Sequence, residues 1–114
     1  MEVYDRAHEL ARALARCREY RDLSRLRARI KENPEALRML KDYRERMLEA
    51  EMKQLQGEAL EPEKQRALED IERLVRLNPT LSEFLEAQAR VARLLADIQK
   101  ILLQSVPDFT ELLS

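Results

Sequence analysis

The sequence is nearly without glycine, proline and aromatic residues: one Gly, four Pro, no Trp, three Tyr and two Phe in 114 residues. Sheets joined by tight turns draw on the backbone freedom of Gly, the fixed φ of Pro and the packing of aromatic side chains, so this scarcity excludes them. The lone Gly also excludes a Gly-rich phosphate loop. One cysteine, Cys17, cannot close an intramolecular disulfide or by itself hold an iron–sulfur cluster. One histidine, His8, has only Asp5 and Arg12 near it at helical spacing, which is ordinary surface chemistry rather than a catalytic or metal-binding constellation. No apolar run reaches the ~18–20 residues needed to span a bilayer. The opening Met1-Glu2-Val3-Tyr4-Asp5 lacks the basic and apolar regions of a secretion signal, so a cytoplasmic location is expected. An excess of one charge is missing too. The 21 basic and 22 acidic residues leave a net charge of −1, which gives no overall attraction to nucleic acid or an anionic membrane.

What is present points to long helices. Charged residues make up 38% of the chain, and Ala, Leu, Glu, Lys and Arg are abundant in it. The expected fold is all-α, with about five helices in one domain over residues 1–114, two of them long and forming antiparallel helical hairpins in a dimeric helical bundle. The longest apolar-periodic stretch runs from Pro79 to about Ser105. Its Phe84, Gln88, Val91, Leu95, Ile98 and Leu102 alternate by four and three residues along one seam. Ala87, Leu94 and Ile101 form a second row beside it, with Leu85 and Ala92 on the other flank. That apolar sector is wider than one partner helix covers.

Ahead of it, Val3, Ala7, Leu10, Leu14 and Cys17 mark a first helix over Glu2 to Arg16, and Tyr20, Leu23, Leu26 and Ile30 mark the inner face of a second over Arg18 to Lys31. Neither Gly nor Pro punctuates the junction near Cys17, so the residues leave open whether it is a break or a bend. Asn33-Pro34 is a helix start, because Asn accepts from free N–H groups and Pro suits the first helical position. The helix that follows runs to about Gln56 and is closed by Gly57. Ala36, Leu40, Tyr43, Met47, Ala50 and Gln54 form its seam, with Leu37, Leu48 and Leu55 as a second row. Pro62 restarts a helix carrying Ala67, Leu68, Ile71, Leu74, Val75 and Leu77, and Asn78-Pro79 repeats the boundary signal. Beyond Pro107 the short acidic segment fits either a docked turn or a frayed tail.

The carboxylates read as solvated helix faces. Asp42 with Arg46, Glu49 with Lys53, Glu69 with Arg73, Glu72 with Arg76 and Glu86 with Arg90 stand at i, i+4 with the acid first. The strongest local charge anomaly is Arg18, Arg21, Arg25 and Arg29, a stripe roughly opposite the apolar face of the second helix. It is the residue set for a possible phosphate or RNA contact, although that face has no aromatic side chain for base stacking, and nucleic acid is not the expected partner. Gln54 and Gln88 sit on the two seams, where a polar side chain either fixes register or pairing or lies at the solvent-reached edge of the seam.

Met52-Lys53-Gln54-Leu55-Gln56-Gly57-Glu58, Asn78-Pro79-Thr80-Leu81-Ser82-Glu83-Phe84-Leu85-Glu86-Ala87 and Ala96-Asp97-Ile98-Gln99-Lys100-Ile101-Leu102 together resemble the YlbF/YmcA family of bacterial proteins, which includes YheA-like paralogues. The resemblance extends through Asn33-Pro34 and Val3 to Leu10. It implies an all-helical cytoplasmic protein that self-associates or joins its paralogues. Better-studied members are non-enzymatic regulators of competence, sporulation and biofilm formation. They act with a YaaT-like protein that binds endoribonuclease Y and affects RNA maturation, in complexes carrying iron–sulfur clusters on cysteines near the C-termini. The tail of this sequence, Gln104 to Ser114, has no Cys, and Cys17 stands where the resemblance leads to Ser, so no cofactor is carried over. The resemblance fits a YheA-like paralogue of unestablished role equally well.

The expected function is therefore non-catalytic regulation through partner binding, with no small-molecule substrate, and an RNA-contacting adaptor as the alternative. Leu37, Leu48, Met52, Leu55, Gln88, Leu94 and Ile101 are the expected interface with a second copy or a partner. At least a dimer is expected, because these side chains exceed what one antiparallel neighbour buries.

Overall fold

The computed structural model describes residues 1–106 together with Asp108 and Glu111; the remainder of the segment expected as a docked turn or frayed tail lies outside the described residues. Among the described residues the chain is all-α, with five helices and no strand: α1 Glu2–Arg16, α2 Arg18–Lys31, α3 Pro34–Leu55, α4 Pro62–Leu77 and α5 Pro79–Ser105.

The α1–α2 junction is a break. Cys17 is extended (φ −70, ψ 156), yet its N–H donates to the Leu14 carbonyl at 3.2 Å and its own carbonyl accepts from Arg21 N–H at 3.1 Å. One residue therefore ends one helix and starts the next with both backbone groups satisfied, which explains how the chain turns without Gly or Pro.

The other boundaries follow local side-chain chemistry. Asn33 Oδ1 accepts from Ala36 N–H at 3.2 Å and Pro34 takes the first helical position. At the other end of α3, Gly57 adopts φ +73, its N–H donates to Gln54 O at 3.0 Å, and Glu58 N–H donates to Lys53 O at 2.9 Å. This is a Schellman closure, and Glu58 also reaches back to Lys53 Nζ at 3.1 Å. Asn78 alone separates α4 from α5: its N–H closes on Leu74 and Val75, while its Oδ1 accepts from Leu81 N–H at 3.1 Å. By contrast, Glu61 at the start of α4 makes no side-chain cap.

The helices group into two compact units, one from Ser24 to Leu85 and one combining Met1–Leu23 with the stretch that begins at Glu86. In the central unit α3 packs antiparallel on α4, joined by residues 56–61. Leu26, Ile30, Ala36, Leu40, Leu68, Ile71, Val75, Leu81 and Phe84 are buried there. Each large member contributes roughly 1.5–3 kcal/mol by leaving water. The Arg44 guanidinium lies over the Phe84 ring, 5.5 Å from its centroid, bringing α3 against the start of α5.

The other unit is much less closed. No residue of α1 is buried, and Val3 and Tyr4 are about two-thirds exposed at 65% and 66%. Tyr20, expected on the inner face of α2, is 41% exposed, whereas Leu23, Leu26 and Ile30 are buried as expected. In the central unit too, Leu74 and Leu77 are exposed while Leu68, Ile71 and Val75 of the same helix are buried. Periodicity marks an apolar face but not how much of its width a neighbour covers.

Candidate interaction surface

α3 presents two apolar rows. Its seam toward α4 carries buried Ala36 and Leu40, with Tyr43, Met47 and Ala50 half-buried; Gln54, at the end of the seam, is exposed. About a third of a turn away at 100° per residue lies a second row of Leu37, Leu48, Met52 and Leu55. All four are exposed, Leu55 at 83% and Leu48 at 59%. Leu48, Met52 and Leu55 form a continuous patch near the end of the helix, and Lys41 and Arg44 separate them from Leu37 along the row. On α5, Ile101 and Gln88 are also exposed, while Leu94 is half-buried. Of the expected interface residues, then, Leu94 alone is partly covered within the chain.

The sequence did not mark α1 as lining an apolar groove, although its apolar periodicity was visible. Ala11, Leu14, Ala15, Cys17 and Tyr20 line an almost wholly apolar groove of about 380 Å³ with Val91, Leu94 and Leu95 of α5. Cys17 and Leu14 are half-buried at this groove.

The four arginines of the α2 stripe, Arg18, Arg21, Arg25 and Arg29, are all exposed. Arg18 Nε lies 3.8 Å from Asp22 Oδ2, and with Glu19, Asp22 and Arg90 it borders a polar cleft in which carboxylates offset the positive charge. Salt-screened exposed pairs of this kind contribute little to stability.

Ion pairs elsewhere follow the helix pattern only in part. Arg46 meets Asp42 at 2.9 Å and Arg76 meets Glu72 at 2.6 Å, as the spacing predicts. Arg73 instead takes Asp70 at 3.3 Å, and Lys53 takes Glu58 across the α3 terminus. Glu49, expected to pair with Lys53, reaches Lys64 of α4 at 2.7 Å. The close contact with Lys64 is the main reason its carboxyl is held below the ordinary value; burial opposes that shift. An interhelix pair depends on the α3–α4 register, which no local spacing encodes.

The donor set does not fit an iron–sulfur cluster. Cys17 is the single thiol of the chain, it borders an apolar groove, and among the described residues no group of three His, Cys, Asp or Glu side chains converges as a metal site. No described helix is long and apolar enough to cross a membrane.

A family model described as "Control of competence regulator ComK, YlbF/YmcA" matches residues 3–107. A UPF0342 protein of Clostridium tetani is 40% identical over 106 residues, covering 93% of this chain and 91% of the relative. Another UPF0342 protein, from Halothermothrix orenii, is 35% identical over 102 residues, covering 90% and 86%. Among solved structures, a protein of unknown function (DUF964) from Bacillus stearothermophilus matches with a TM-score of 0.80 at 19% identity over 96% of both chains. A Bacillus subtilis structure of RicA in complex with RicF matches with a TM-score of 0.65 at 18% identity, covering 99% of this chain and 97% of that chain. At such identities the two structures establish a shared helical fold.

Proposed function

The chain belongs to the YlbF/YmcA family, and on that premise we propose that it is a non-catalytic cytoplasmic regulator that works by binding protein partners through its open apolar helix faces. The observation that carries this reading is the exposed row Leu37, Leu48, Met52 and Leu55 on α3. Side chains of this size left in water forgo roughly 1.5–3 kcal/mol each, and the contiguous patch of Leu48, Met52 and Leu55 marks a surface that another protein covers. The crystallised association of RicA with RicF, two separate chains, supports a protein as the partner class.

The partners are a second copy of the chain, a paralogous family member, or a YaaT-like protein with endoribonuclease Y. The regulated process is competence, sporulation, biofilm formation or RNA maturation dependent on that nuclease. The chain works without a small-molecule substrate and without an iron–sulfur cluster of its own. The α2 arginines serve as a solvated face in this reading.

Affinity capture of the tagged full chain from its own cell tests the proposal, comparing the native protein with Leu48→Glu/Met52→Glu. A paralogue, a YaaT-like protein or endoribonuclease Y should be recovered with the native protein and lost with the variant. Recovery that is unchanged by the variant, or recovery of none of these proteins, overturns it. Titration with structured RNA completes the test. Binding that persists at moderate salt and disappears on joint replacement of Arg21, Arg25 and Arg29 would assign the function to the basic face instead.

A further inference from the structure

A small groove in the central unit, between α2, α3 and the start of α5, has an apolar floor and a cationic rim. Buried Ile30, Leu40 and Phe84 form the floor, and Leu37, 44% exposed, forms one wall. Arg27, Lys31 and Arg44 stand around them. At 100° per residue, Arg27 and Lys31 lie on one flank of α2, about 60° and 100° from Ile30, and Arg44 lies about 20° from Leu37 on α3. The stripe of Arg18, Arg21, Arg25 and Arg29 runs along the other side of α2.

Other polar clefts of the chain set acid beside base. The cleft at Arg18 and Arg90 has Glu19 and Asp22, and the one at Arg38 and Lys41 has Asp42 and Glu45. The groove at Leu37 does not. Among the described residues no carboxylate lines it, and neither Arg27 nor Lys31 makes an ion pair. Arg44 is held at the groove over the Phe84 ring, 5.5 Å from its centroid.

Size and charge together select the occupant. The groove has a volume of about 190 Å³, below the roughly 300–1,000 Å³ of sites that enclose a free small molecule, and it suits one large apolar side chain. Covering the floor also takes water from the cations around it, and a charge that loses water without gaining a partner is costly to bury. A wholly apolar partner therefore leaves the rim unpaired. A nucleic acid pairs the rim but has no apolar side chain to set against Ile30, Leu37 and Leu40, and Phe84, the one ring lining the groove, is 3% exposed and gives no stacking face.

We infer that the groove receives an acidic segment of a partner protein. One large apolar side chain of that segment seats against Leu37, Leu40 and Phe84, and flanking Asp or Glu carboxylates pair with Arg27, Lys31 and Arg44. The two guanidinium groups suit this role, because each can hold a carboxylate through two parallel N–H···O bonds. Leu37 also shares its row with Leu48 and Leu55, so the groove extends the apolar face of α3 toward a basic end. The inference rests on the partner-binding reading above and gives that partner its charge.

Fluorescence anisotropy on the full chain tests this with a labelled synthetic peptide, Glu-Asp-Glu-Leu-Phe-Glu-Asp-Glu. The native protein should bind it in low salt, and added salt should weaken the binding. Arg27→Glu/Lys31→Glu and the milder Arg27→Gln/Lys31→Gln should each weaken it by on the order of tenfold or more. Leu37→Ser should weaken it by about fivefold through lost apolar contact. All three positions are exposed, so circular dichroism should show unchanged helicity. A peptide with Ser-Ser in place of Leu-Phe, and one with Lys in place of every acid, should each bind on the order of tenfold more weakly than the parent peptide.

No binding in low salt, control peptides that bind like the parent peptide, or helical variants that bind like the native chain would each overturn the inference. So would structured RNA that binds more tightly than the peptide and is lost with Arg27→Glu/Lys31→Glu, since the occupant would then be a nucleic acid. If the peptide does not bind but Leu48→Glu/Met52→Glu still abolishes partner capture, the groove fails and the partner-binding reading stands. Peptide bound as described, with capture unchanged by Leu48→Glu/Met52→Glu, supports the groove and overturns the reading of the α3 patch.

Discussion

Lys64 Nζ stands 2.7 Å from Glu49 Oε1, tying the first turn of α4 to the C-terminal half of α3. That oxygen is shielded from water, and the ammonium approaches it off the hydrogen-bonding direction, so the contact is best described as an ion pair. The contact lowers the Glu49 carboxyl and raises the Lys64 ammonium relative to their ordinary values. Its stabilisation is therefore present above the unfolded carboxylate value of about 4.3 and is lost as pH falls through the lower folded-state value. At the other end it is complete below about pH 10 and is lost as pH rises through the raised lysine value. Urea unfolding at pH 7 should show Glu49→Gln less stable than the native chain, and that difference should narrow in acid. A difference that is constant with pH would mean that the carboxylate contributes by shape rather than charge.

Phe84 is 3% exposed and sits beneath the Arg44 guanidinium. Phe84→Ala should cost about 3–5 kcal/mol in denaturant unfolding, the range for truncating a buried aromatic side chain. Phe84→Leu should cost less, because it keeps most of the apolar volume while losing the ring under the cation. Arg44→Ala should cost on the order of 0.5–1 kcal/mol, as an exposed cation–ring contact does. Equal costs for the alanine and leucine variants would show that the ring, rather than filled volume, holds α5 in place.

How much of this was legible in the sequence depended on whether the cause was local. Asn33, Gly57 and Asn78 act within a few residues of themselves, so the helix boundaries they set can be read from the residues alone. Cys17 carries no such signal. Its break comes from one extended residue whose N–H and carbonyl are both satisfied by neighbouring turns. The second row of α3 was legible as an apolar row, and it is exposed because α4 covers only the first. The openness of α1 was not legible, because the spacing of Val3, Ala7, Leu10 and Leu14 is the same whether or not another helix lies against them. The partner of Glu49 was hidden for a related reason: Lys64 becomes its neighbour only after the α3–α4 hairpin closes.

Asn33 and Asn78 each cap a long helix with a side-chain oxygen, and Asn78 also closes α4 with its own N–H. Asn33→Ala and Asn78→Ala should each destabilise the chain by about 0.5–2 kcal/mol in thermal or denaturant unfolding. Asp or Ser at either position should recover most of the loss, because both offer an acceptor of similar reach. A neutral Asn78→Ala would mean that Pro79 alone suffices to start α5.

Leu94 and Ile101 lie seven residues apart on one row of α5, the first half-buried beside α1 and the second 61% exposed. A single chain thus covers one end of the row and leaves the other open. In the native protein a second copy should cover it, since apolar residues at a seven-residue repeat present one continuous stripe to a partner helix. Gln88, exposed one turn before the groove residue Val91, is placed to set the register of that contact. Sedimentation equilibrium should give at least a dimer for the native chain at micromolar concentration and a monomer of unchanged helicity for Leu94→Glu/Ile101→Glu. A double variant that stays helical and dimeric would remove this row of α5 from the self-association surface.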